Sequence, residues 1–129
     1  MKTVWLVGVC AAAMGVSSQL SAQAPKTGPQ RNVFEPSEDT SILVNGRQNL
    51  VRDNTIRVDG LTEAAIQVND RANVLEANIV LPVPGGDRAT VGIQFTADGN
   101  SFGNNRLGAL VPVDVGSTTQ TNWGGNVGL

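Results

Sequence analysis

Val91, Ile93, Phe95 and Ala97 alternate with Gly92, Gln94, Thr96 and Asp98, and this period of two is the strongest constraint the chain places on its own fold. Strand side chains point to opposite faces in turn, so such a run has one dry face and one wet face. The pattern recurs in short pieces. Ile56 and Val58 flank Arg57, and Leu107, Ala109, Val111, Val113 and Val115 share one face of a later run. Pro112 sits on the opposite face of that run and donates no ladder hydrogen bond, which places the strand at a sheet edge or at a bulge.

Turn chemistry separates the runs. Asn45-Gly46 accepts the positive φ angles of a tight hairpin turn between Ser41–Val44 and the run ending at Val51. Asp59-Gly60 closes the next run. Pro82–Arg88, with Gly85-Gly86, is a connection, and Asp98–Asn105 reads as a turn-rich loop. Residues 62–70 fit either a helical stripe or a strand. Asn69, Asp70 and Asn73 compete for backbone hydrogen bonds and favour the strand. Residues 73–81 read as one strand, with Leu75, Ala77, Ile79 and Leu81 on one face and Glu76 and Asn78 on the other. No tandem copies of a unit stand out. The expected fold class is all-β, a small antiparallel sandwich or partly open barrel of about six to eight short strands.

The first 24 residues read differently. Lys2 precedes an apolar run, Val4–Val16, and then small polar residues lead to Ala22-Gln23-Ala24. This is the layout of a secretory signal peptide, cut after Ala22 or Ala24. Cys10 does not suit a lipid anchor, because Val9 is not small and the apolar run ahead of it is short. Residues 25–40, with Pro25, Pro29 and Pro36, form an extended leader in which Val33 and Phe34 are the large apolar residues. Residues 41–129 form the single β domain. The chain is expected to be exported, to the cell surface first and the periplasm second.

Composition narrows the chemistry. Beyond residue 24 there is no Cys, His or Tyr. That leaves no thiolate nucleophile, no histidine base and no nitrogen or sulfur ligands for a transition metal. Eight basic residues remain against eleven acidic ones, and the arginines are dispersed, so no stripe collects phosphates and nucleic acid is not an expected partner. Three Phe and one Trp do not make the aromatic girdles of a membrane barrel, so the exported domain is not expected to span a membrane.

Several residues invite a functional reading. Glu35, Glu38 and Asp39 form an acidic cluster, read as a solvated linker rather than a carboxylate pair. Asp98 and Asn100 begin like a calcium loop. Phe102 then fills the third ligand position, and the glutamate expected near Ala109 is missing. No catalytic, cofactor or metal residues are assigned, and no enzyme activity is expected. Gly116–Leu129 carries no charged side chain and is rich in Gln, Asn, Thr and Gly, a composition suited to pairing along an open strand edge. Gln120, Asn122, Trp123 and Asn126 are the candidate partner contacts.

"FGNN" at Phe102–Asn105 and "STTQTNWGGNV" at Ser117–Val127 resemble pieces of curli-like surface-fibre subunits and the related holdfast-attachment proteins. The resemblance implies a secreted, non-catalytic, adhesive protein that builds or anchors a bacterial surface fibre. Its partner would be itself, another secreted surface protein or a glycan. The alternative expectation is a monomeric periplasmic or extracellular binding module for a glycan or a protein.

Overall fold

The computed structural model describes residues 18–20 and 32–129. The signal peptide expected over residues 1–24 therefore lies outside the described residues except for Ser18–Leu20, as does the leader up to residue 31.

Among the described residues the chain is all-β, and every strand pair is parallel. In chain order the strands are β1 (Ser18–Leu20), β2 (Val33–Phe34), β3 (Thr40–Val44), β4 (Leu50–Arg52), β5 (Thr55–Val58), β6 (Ala64–Val68), β7 (Val74–Glu76), β8 (Ile79–Pro82), β9 (Ala89–Phe95), β10 (Ser101–Gly103), β11 (Arg106–Leu107), β12 (Ala109–Asp114), β13 (Thr121–Asn122) and β14 (Val127–Gly128). They fall into three sheets, ordered β1-β3-β6-β9-β12, β13-β10-β7-β4 and β14-β11-β8-β5-β2. The chain visits the sheets in rotation and advances one strand in each per circuit. This is a β-solenoid of about 4 turns.

The expected antiparallel sandwich or barrel is therefore wrong. Period-two patterning records which face is dry, and it is the same for strands paired in either direction. The Asn45-Gly46 hairpin fails for the same reason. β3 and β4 belong to different sheets, and the turn between them is a corner of the coil. The single strand expected over 73–81 is two strands, β7 and β8, broken at Ala77, whose φ of 54° reverses which residues face inward. Leu75 and Val80 are buried, while Leu81 is exposed. The loop expected at 98–105 contains β10, with Phe102 buried. Residues 64–68 are strand, as favoured, and β12 is at a sheet edge, as Pro112 suggested.

The core is built in rows that run up the solenoid. In the first sheet Ile42, Ile66 and Ile93 are register partners, followed by Val113, and beside them Val44, Val68 and Phe95. The second sheet contributes Val51, Leu75 and Phe102. The third contributes Phe34, Ile56, Val80 and Leu107. All of these except Val113 are buried, and burying each aliphatic side chain is worth roughly 1.5–3 kcal/mol. Phe95 and Phe102 close one corner with ring centroids 5.3 Å apart. Phe34, in the supposed leader, is only 3% exposed and belongs to this core.

Polar rows mark the two corners either side of the second sheet. Asn49 donates through N and Nδ2 to Asn73 Oδ1 at 2.9 and 3.1 Å, and Asn73 does the same to Asn100 Oδ1 at 2.9 and 3.1 Å. At the next corner Asn32, Asn54, Asn78, Asn105 and Asn126 form a longer ladder, in which Asn78 Nδ2 meets Asn105 Oδ1 at 3.0 Å. The residue before each buried asparagine has left-handed backbone angles. These are Gln48, Ala72 and Gly99 at one corner, and Asp53, Ala77 and Asn104 at the other, and Gly125 before the half-buried Asn126 shares them. For a residue with a Cβ this conformation costs roughly 1–2 kcal/mol. The corner keeps it because the turn aims the amide inward.

Three substitutions test the corners. Asn78→Ala removes the acceptor of Asn54 N and Nδ2 and the donor to Val51 O and Asn105 Oδ1, and should cost on the order of 3 kcal/mol in denaturant unfolding. Asn78→Asp sets a carboxyl oxygen against Val51 O, now 2.9 Å from Asn78 Nδ2. Only the protonated acid can donate there, so its folded-state pKa is raised. The variant should be most stable below the ordinary carboxylate range and lose stability as pH rises to 7, read by thermal melts at pH 4 and 7. Separately, Ala77→Gly should raise stability by about 0.5–1 kcal/mol, the reverse of the usual effect of glycine, because it removes the Cβ from a left-handed position.

Candidate interaction surface

The residues that invited a functional reading do not converge on a site. Glu35 Oε1 lies 3.9 Å from Arg57 Nε, with both side chains about half exposed, so the pair is solvated and weak. Glu38 and Asp39 are exposed, and the Asp39 carbonyl accepts from Glu63 N and Ala64 N between coils. Asp98 Oδ1 accepts from Thr119 N at 2.7 Å, and Asn100 is committed to its ladder, so this stretch is a structural corner. Among the described residues no group of three or more His, Cys, Asp or Glu side chains could hold a metal ion. One shallow, open depression lies beside the connection from β8 to β9, lined by Gly60, Pro82, Asp87, Arg88 and Leu110 among others. Its charged residues are on the surface and face no buried partner.

The distinctive surface is the last coil. β12, β13 and β14 are each the outermost strand of their sheet, all at the same end. Val91 and Val111 are register partners on neighbouring coils, yet Val91 is 7% exposed and Val111 is 44% exposed. The residue type and register are unchanged. The difference is that, among the described residues, no coil lies over Val111. Among the described residues, most of the large exposed apolar side chains belong to this coil: Leu110, Val111, Val115, Trp123, Val127 and Leu129.

The four sequence-predicted contacts all fall here, with different roles. Gln120 ends the first ladder. Its Oε1 accepts from Asn100 N at 2.8 Å and its Nε2 donates to Ala97 O at 2.8 Å. Asn126 ends the second, accepting from Asn105 Nδ2 at 3.0 Å and donating to Asn122 Oδ1 at 2.7 Å. Asn122 also accepts from Gly124 N at 2.8 Å and so holds the turn. Trp123 is the one that presents a large surface. It donates from its backbone N to Phe102 O at 2.9 Å, lies over Gly103, and is 51% exposed. The Asn and Gly residues behind the fibre-subunit resemblance are thus corner and ladder residues. Leu110, Val127 and Leu129 were missed as surface. Their signal was the edge proline beside a charge-free tail.

No family model, curated protein or solved structure matches the chain. Among the described residues no helix is long and apolar enough to cross a membrane.

The seating of Trp123 depends on a glycine. A Cβ on Gly103 would lie 3.1 Å from Trp123 Cβ and 3.2 Å from Gly124 O. Gly103→Ala should therefore loosen the last coil by about 1–3 kcal/mol. Amide exchange at Thr121 and Trp123 should speed up while Ile93 keeps its protection.

Proposed function

We propose that this protein is a non-catalytic structural or adhesive element that is exported and joins a surface assembly through its last coil. The observation that carries the reading is the exposure of Val111 at a position where Val91, one coil earlier, is covered. Core-type residues left at an uncovered parallel edge favour addition of further strand, both by apolar burial and by pairing of the open backbone. The absence of charge from Val115 to Leu129 supports this, because charged side chains are a common means of blunting an edge. Export rests on Lys2, Val4–Val16 and the Ala22-Gln23-Ala24 exit.

The reading is tested by following the size of the purified chain with concentration and time. The native chain should grow into ordered oligomers, and Val111→Lys with Val127→Lys should leave it monomeric with an unchanged circular-dichroism spectrum. A native chain that stays monomeric at every concentration overturns the proposal and favours the glycan- or protein-binding module.

A further inference from the structure

The Asn45-Gly46 pair makes no hairpin, and its corner holds a different chemistry. Asn45 is exposed and lies between β3 and β4, outside both strands. It is the only asparagine of the sequence followed by glycine. The buried ladder asparagines precede Leu50, Thr55, Val74, Ile79, Ser101 and Arg106, whose side chains crowd the next peptide nitrogen. Glycine leaves that nitrogen unscreened and its backbone free to turn.

A third row of polar side chains runs up the surface at this corner. Asn69 Nδ2 donates to Asn45 Oδ1 at 2.9 Å, and Thr96 Oγ1 donates to Asn69 Oδ1 at 2.8 Å. All three residues are exposed. The Thr96 hydroxyl takes the oxygen of the Asn69 amide, and this turns the amide nitrogen toward Asn45. Asn69 N is itself held on Val44 O at 2.8 Å, so the donor stands on backbone fixed beside its target. In the buried ladders the bonded Oδ1 belongs to an amide locked in the core. Here it belongs to an amide at the surface with glycine next in the chain.

From these observations we infer that Asn45 is a self-deamidating site, with Gly46 N as nucleophile and Asn69 Nδ2 polarising the carbonyl under attack. Solvent base takes the Gly46 amide proton, and the nitrogen attacks Asn45 Cγ. Chain adjacency supplies the proximity. As the N–Cγ bond forms, negative charge moves onto Oδ1, where Asn69 Nδ2 already donates. Collapse breaks the Cγ–Nδ2 bond, and Nδ2 leaves as ammonia with a proton from water. The succinimide left behind is opened by water. Cleavage of the new N–Cγ bond gives aspartate, and cleavage of the original peptide bond gives isoaspartate. The sum is one water consumed and one ammonia released, with no change of oxidation state. The aspartate form keeps an oxygen facing Asn69 Nδ2. The isoaspartate form adds a methylene to the main chain three residues before Gln48, whose left-handed turn at φ 59° aims Asn49 into the first ladder. The reaction marks one coil and leaves the last coil as it is, so it does not depend on the assembly reading.

The test follows the full chain in neutral buffer and in urea. Samples are digested at intervals, and the aspartate and isoaspartate peptides are separated and identified by mass spectrometry. The native chain should convert at Asn45 and stay unchanged at the ladder asparagines. Asn69→Ala and Asn69→Asp each remove the donor and should slow the native reaction about ten-fold, less than for a buried oxyanion donor because Asn69 is exposed. In urea all three chains should react at one rate, since no coil brings residue 69 to residue 45. Circular dichroism of each variant checks that the coils remain. A native chain still unmodified at Asn45 when the urea sample has converted would overturn the site. Equal native rates in the three chains, or a difference that persists in urea, would overturn the role of Asn69.

Discussion

The fold depends on a simple demand: a buried amide must have its hydrogen bonds made. Asn49, Asn54, Asn73, Asn78, Asn100 and Asn105 are all 3% exposed or less. Their bonds go to backbone carbonyls of the same corner or of the coil before, and to a side-chain amide one coil away. That requirement sets the height between coils, brings the strands into parallel register and makes any slip costly, because a shifted coil would leave a whole row of amides unpaired. Rows of apolar side chains supply the driving force for collapse. The ladders decide which collapsed form is reached.

The left-handed corner residues follow from the same demand. To turn an asparagine inward directly after a short strand, the chain reverses its facing within one residue. Gly99 and Gly125 do this without steric cost. Ala72, Ala77, Gln48, Asp53 and Asn104 do it under strain, offset by the amide bonds that the turn makes available. Because each coil touches only its neighbours, interior coils are supported from both sides and the last from one. The gradient from Val91 to Val111 is the visible result, and the assembly reading grows from it.

The sequence announced the parts of this structure that depend on local patterning. Ile93 and Phe95 were legible as core because alternation is a property of one strand, while Gly92, expected on the wet face, is buried against Leu107. The strand at 64–68 was legible because asparagines suit a helix interior poorly, and the edge at β12 because proline cannot donate. Pairing direction was not legible, since it depends on strands more than twenty residues apart. The repeat was there to see in the recurring Asn-x4-Asn of Asn49/Asn54, Asn73/Asn78 and Asn100/Asn105. It was hidden because the coils differ in length: Asn54 to Asn78 spans 24 residues, Asn78 to Asn105 spans 27 and Asn105 to Asn126 spans 21. At the candidate surface, Trp123 was found by its type. Val111 was misread as core because its residue type and face are those of a buried position, and only its place at an end exposes it.

The unequal coil lengths carry their own consequence. The step between the two asparagine corners stays constant across three coils, while the connection from third sheet to first varies widely: Asp59–Glu63, then Val83–Arg88, then Gly108 alone. One side of the triangle is gauged and another is slack. Residues can be gained or lost over evolutionary time at the slack side without disturbing the stack. A foreign epitope spliced between Val83 and Arg88 would be carried outward like a rung marker, at a known level along the axis.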